Sequence, residues 1–102
     1  MARILREDAE RLLNAVPQDQ MFWCCDGRTV VSMRDMAEAL DNMPDETFYY
    51  HANGEKCDFG NWVRDVIGDE KLARDLVKSP SRAQAAKYVS ARVAFLDTKL
   101  TT

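Results

Sequence analysis

The chain holds one histidine, His51, and three cysteines, Cys24, Cys25 and Cys57. These are the side chains with most chemistry to offer. Asp58 follows the histidine in the sequence, and a nearby carboxylate can orient an imidazole and raise its basicity. With Cys57 as nucleophile and His51 as base, such a set could support covalent catalysis. The favoured reading is structural, because a histidine near a helix end more often serves a backbone carbonyl or a capping side chain. Cys24, Cys25, His51 and Cys57 also supply the ligand count of a Cys₃His zinc site. Their spacing argues against it, since adjacent strand residues point to opposite faces. No metal and no cofactor is therefore expected, and one of Cys24 and Cys25 is read as core filling. No glycine-rich loop follows a strand, so a phosphate cradle has no support. The carboxylate pairs Asp45-Glu46 and Asp69-Glu70 fall at expected helix starts, where the helix dipole favours negative charge.

The elements that must position these residues read as mostly helical. Leu5, Ala9, Leu12 and Val16 recur at helical spacing, and Pro17 is expected to end that first helix. Met21–Cys25 and Thr29–Val31 are the one strand signal, joined at Asp26-Gly27 in a tight hairpin. Ser32 is the expected cap of a second helix, with Asp35 reaching back to the cap's own N–H. Met33, Met36, Ala37, Leu40 and Met43 form its apolar stripe, and Pro44 stops it. Asp45 is read as the cap of a short helix from Glu46 to about Ala52, followed by a turn at Asn53-Gly54.

Asp58 is read as the cap of a fourth helix, whose stripe is Phe59, Trp62, Val63, Val66 and Ile67. Gly68 sits where a helix would stop in the left-handed conformation. Asp69 is the expected cap of a fifth helix bearing Leu72, Ala73, Leu76 and Val77. Ser79 is read as the cap of the last helix with Pro80 at its first position. Ala86, Val89, Val93 and Leu96 supply its seam, widened by Tyr88 and Phe95. The expected fold is mainly α, with five or six short helices and one small β-hairpin in a single compact domain spanning residues 1–102.

The bulk composition bounds function more than it names it. A chain of 102 residues with 46% hydrophobic and 30% charged residues suits one globular domain. Residues 1–70 carry seven Lys/Arg against fifteen Asp/Glu, and residues 71–102 carry seven against two. The first reading of that asymmetry is an acidic body attracting a basic C-terminal element, and the second is a basic contact surface. An odd number of cysteines, two of them adjacent, is no disulfide framework. The longest apolar run, Met21–Cys25, is far short of a membrane span. The Met1-Ala2-Arg3-Ile4 start has no signal-peptide core and the Leu100-Thr101-Thr102 end is no prenylation box. The cytoplasm is therefore the expected location, with no membrane partner.

The segment from Phe22 to about Arg82 also carries a distinctive pattern. It contains Cys25-Asp26-Gly27, then Ser32, then Phe48-Tyr49-Tyr50-His51, then Asp58-Phe59-Gly60-Asn61-Trp62 followed by Gly68-Asp69-Glu70-Lys71-Leu72-Ala73. This Asp-Phe-x-x-Trp and Gly-Asp-x-x-Leu-Ala pattern resembles a family of small uncharacterised domains from archaea and some bacteria. The resemblance implies a shared fold unit and no activity. It implies asparagine at the position of Cys57, which weighs against a thiol or metal role there. It marks His51, Asp58, Phe59 and Trp62 as the positions that matter most.

Three functional readings follow. The first is a non-enzymatic module docking on another protein, with Tyr49, Tyr50, His51 and Asp58 as the candidate binding residues. A short helix cannot bury Phe48, Tyr49 and Tyr50 on one side, so one tyrosine is expected to face out, where tyrosine beside polar groups suits a binding surface. The alternative is that both tyrosines lie flat on neighbouring helices. The second is association with nucleic acid through the basic C-terminal part. A helix-turn-helix across Gly68-Asp69 is weakened by the lack of a basic face on the following helix. The third is an enzyme using His51. No catalytic residue is assigned, and the oligomeric state is left open.

Overall fold

A computed structural model describes residues 3–101. Six α-helices and one two-stranded hairpin make up its architecture among the described residues. Helix α1 spans Arg6–Leu13, strands β1 and β2 span Phe22–Trp23 and Thr29–Val30, and α2 spans Met33–Asn42. Helix α3 is Asp45–His51, α4 is Asp58–Trp62, α5 is Glu70–Val77 and α6 is Arg82–Leu100. The Cα radius of gyration is 13.0 Å, close to the ~13 Å of a compact chain of this length. The Met1-Ala2 start and the Thr102 end read above for targeting signals lie outside the described residues. No helix among the described residues is long and apolar enough to cross a membrane.

Helix α6 is the spine. It packs most extensively on α2 and also on α1, α5 and α3. Met33, Met36, Leu40, Val89 and Leu96 are fully buried between these helices. Part of the same core is an aromatic cluster. Phe59 stacks on Phe22 at 5.2 Å and on Phe48 at 5.6 Å, and Trp62 meets Phe22 edge-on at 6.1 Å. It holds the hairpin against α3 and α4, which a two-stranded hairpin needs in order to persist in water. Phe22 pairs with Val30 and Trp23 with Thr29. Gly27 takes φ +96 in the connecting turn, a value that suits glycine.

Several boundaries differ from the sequence expectation. Helix α1 ends at Leu13, not at Pro17. Asn14 turns extended, and the Val16 N–H donates to the Val31 carbonyl at 2.7 Å, so this stretch runs beside the hairpin instead. Ser32 does cap α2, accepting from the Asp35 N–H at 3.2 Å, but the Asp35 carboxylate reaches the N–H of Val31, one residue earlier than expected. Pro44, not Asp45, occupies the cap position of α3, and Asp45 is its first helical residue. Cys57, not Asp58, caps α4: its Sγ accepts from the Gly60 N–H at 3.3 Å. Asp58 is the first residue inside α4, and its carboxylate instead meets His51 and Lys56. Ser81, not Ser79, caps α6, accepting from the Gln84 N–H at 3.2 Å. The Ser79 hydroxyl donates instead to the Asp75 carbonyl at 2.9 Å.

Helix α4 continues into one π turn, Val63–Ile67. The N–H groups of Gly68 and Asp69 both converge on the Val63 carbonyl, at 2.7 and 3.1 Å. Gly68 ends the turn with φ +92. Asp69 then caps α5 through the Leu72 N–H at 3.1 Å. The same buried carboxylate takes a two-pronged bond from Arg92 of α6, at 2.7 and 3.1 Å. Arg82 reaches Asp45 at 2.9 Å and the Leu40 carbonyl at 2.7 Å. Two of the C-terminal cations thus tie α6 to the acidic body.

Trp62 is buried, and its Nε1–H donates to the Gln20 carbonyl at 2.8 Å. Trp62→Ala should cost about 3–5 kcal/mol, as truncation of a buried aromatic does, against a small-domain stability of about 5–15 kcal/mol. Urea denaturation should show a sharply lowered midpoint. An unchanged midpoint would place Trp62 outside the folding core.

Candidate functional site

His51 is the last residue of α3 and is 5% exposed. Its Nε2 accepts the backbone N–H of Cys25 at 3.0 Å, and its Nδ1 lies 2.9 Å from Asp58 Oδ2. The Cys25 amide can only donate, so Nε2 must be the lone-pair nitrogen. The proton is then on Nδ1 and points at the carboxylate. The ring also packs against Phe22 at 5.2 Å and Phe59 at 5.4 Å. One imidazole therefore joins the hairpin, α3 and α4.

Asp58 serves two donors. Lys56 Nζ lies 3.0 Å from the same Oδ2 and 4.9 Å from the centre of the Tyr50 ring. Tyr50 in turn meets His51 edge-on at 4.9 Å. Burial pushes the Asp58 carboxyl up, but the hydrogen bonds from His51 and Lys56 and the lysine charge outweigh it. The net effect holds Asp58 below the ordinary carboxylate range.

The geometry offers little to acid–base or thiol chemistry. Both imidazole nitrogens are engaged, so none is free to take a proton from Cys57. Burial raises the Cys57 thiol above its ordinary value, against the Gly60 N–H that favours the thiolate. Burial, with the Asp26 carboxylate adding to it, pushes Cys24 up to about 11. Cys24 fills core, as one of the adjacent pair was expected to, while Cys25 is exposed. Among the described residues, no group of three or more His, Cys, Asp and Glu side chains is placed to hold a metal ion.

Of the four candidate binding residues, Tyr50, His51 and Asp58 come together around the imidazole. Tyr49 faces the other way. It is 47% exposed, its ring lies 5.2 Å from Phe48, and its hydroxyl lies 3.4 Å from the Pro80 carbonyl. Both tyrosines are exposed, where the short-helix argument required only one.

Tyr49 lines a cleft of about 400 Å³ between α3, the 52–57 turn and the end of α5. Phe48, Ala52 and Leu76 are its buried apolar members, and Val77 and Pro80 are its exposed ones. A second groove of about 350 Å³ runs between α4 and α5 and shares Val77 with the first. Gly60 sets how closely these helices approach. A Cβ there would meet Val77 Cγ2 at 3.0 Å and the Ala73 carbonyl at 3.2 Å.

Three apolar residues expected on buried stripes or seams are exposed, Leu5, Phe95 and, most of all, Val77. Val77 belongs to the apolar stripe of α5 by spacing, yet it is 61% exposed. Trp23, at 67% exposed, was equally unmarked, although strand alternation beside a buried Phe22 points it outward. No protein-family model, curated protein or solved structure significantly matches this chain.

The depressed Asp58 carboxyl makes a pH prediction. Its contribution to stability is fully present above the unfolded value of about 3.9 and is lost as the pH falls through the lower folded value. Asp58→Asn should therefore be the less stable protein near neutrality. The difference from the parent should shrink as acid is added, read from urea midpoints between about pH 3 and 6. A difference that does not change with pH would contradict this.

Proposed function

We propose that this chain is a small non-catalytic module that docks on another protein through the face joining Tyr49, Val77 and Pro80. The observation that carries the reading is the cleft. An exposed tyrosine, valine and proline surround an apolar interior large enough to take a partner side chain. Interfaces place aromatic anchors at such desolvated centres. His51, which an enzyme reading would need as a base, has both nitrogens tied into the fold. The nucleic-acid reading is weakened because Arg82 and Arg92 are engaged by Asp45 and Asp69. That leaves fewer C-terminal cations to neutralise phosphates.

Affinity capture from the source cell with the tagged full chain, with and without nuclease, tests this. A defined protein should survive nuclease treatment. Tyr49→Ser with Val77→Asp should lower its capture about thirtyfold, the factor that corresponds to losing a hot spot of about 2 kcal/mol. A circular-dichroism spectrum equal to the parent's checks that the variant is folded. Capture that disappears with nuclease, or that ignores the two substitutions, would overturn the reading.

A further inference from the structure

The two grooves that meet at Val77 differ in charge from the chain around them. The whole sequence has 17 Asp/Glu against 14 Lys/Arg. The groove linings carry Lys56, Arg64, Arg74 and Lys78, with Glu70 as the one carboxylate among them. Lys56 is held by Asp58 and Arg64 by its neighbour Asp65. The nearby Asp75 carboxylate is taken by Lys71 at 2.8 Å. Arg74 and Lys78 form no ion pair among the described residues. They stand four positions apart on the face of α5 that presents Val77, so they are about one helical turn apart, some 6 Å along the axis.

From this juxtaposition we infer that the docking face takes an acidic segment of its partner. An apolar side chain of that segment seats among Tyr49, Val77 and Pro80, and carboxylates spaced one turn apart meet Arg74 and Lys78. The inference rests on the docking reading above and adds the partner's chemistry to it. Complementary charge at the edge of an apolar centre is what selects a partner and speeds its encounter. The same cations disfavour a basic segment, because like charges facing each other across an interface are costly. Arg74 and Lys78 lie on an exposed helix face, so changing them leaves the core intact.

The test is site-specific photocrosslinking of the full chain in its source cell, with benzoylphenylalanine in place of Tyr49. The crosslinked partner peptide is then identified by mass spectrometry. The expected product is a protein segment with net negative charge around an apolar residue. Arg74→Glu with Lys78→Glu in the same background should cut its yield about tenfold, on the scale of reversing paired interface charges, with an unchanged circular-dichroism spectrum. A neutral or basic crosslinked segment, or a yield that ignores the double reversal, would overturn the acidic partner while leaving the docking reading standing. Crosslinks to nucleic acid alone, or none to any protein, would overturn both.

Discussion

The fold turns on one imidazole. His51 sits where the hairpin, α3 and α4 converge, and each of its nitrogens satisfies a different one of those elements. A buried polar ring left without partners would cost the fold dearly. Here the Cys25 amide and the Asp58 carboxylate complete it, and no buried side-chain nitrogen or oxygen among the described residues lacks a partner. Because one contact is a fixed donor, the ring can serve the other only as the Nδ1–H tautomer. Phe22 meets the ring in an edge-type contact and Phe59 in a tilted one. The hairpin is only two residues deep on each side, so this link and the aromatic cluster give it the support it lacks by itself.

The same arrangement explains the division of labour at the start of α4. Asp58 is the first residue inside α4 and its carboxylate serves His51 and Lys56, while the Cys57 sulfur, one residue earlier, caps the helix. Lys56 completes the carboxylate's surroundings and rests over Tyr50. Asp69 plays a comparable double part at the start of α5, capping that helix and receiving Arg92 from α6. Severing such a buried two-pronged pair leaves one charge stranded, at a cost of about 3–5 kcal/mol. The uneven charge along the sequence is therefore partly closed within the fold. What remains open is the face around Val77, where apolar groups and unpaired cations share the surface.

Much of this fold is legible in local chemistry. The amphipathic stripes, the Asp26-Gly27 turn, the left-handed Gly68 and the Ser32 and Asp69 caps all depend on neighbours a few residues away. The departures arise where distant contacts decide. Asp58 has the better capping oxygen by composition, yet a histidine seven residues upstream claims it. Ser79 is diverted by the Asp75 carbonyl, and Val16 by the hairpin. The π turn in α4 has no sequence signal that periodicity would reveal, because it keeps Phe59, Trp62, Val63 and Ile67 buried all the same. In the candidate site, the His51–Asp58 pair is suggested by spacing, but the Cys25 amide lies 26 residues away and is not. Val77 carries the right periodicity to be core, yet it stays exposed at the rim where α5 meets α4 beside Gly60.

The claim that His51 is a structural link, not a base, can be tested directly on its ring nitrogens. Long-range ¹H–¹⁵N correlation on the ¹⁵N-labelled protein reports which nitrogen carries the proton. Hydrogen exchange reports whether the Cys25 amide is protected. A linking His51 should show a single Nδ1–H tautomer together with a protected Cys25 amide. An Nε2–H tautomer, or a mixture of the two with a freely exchanging Cys25 amide, would contradict that role.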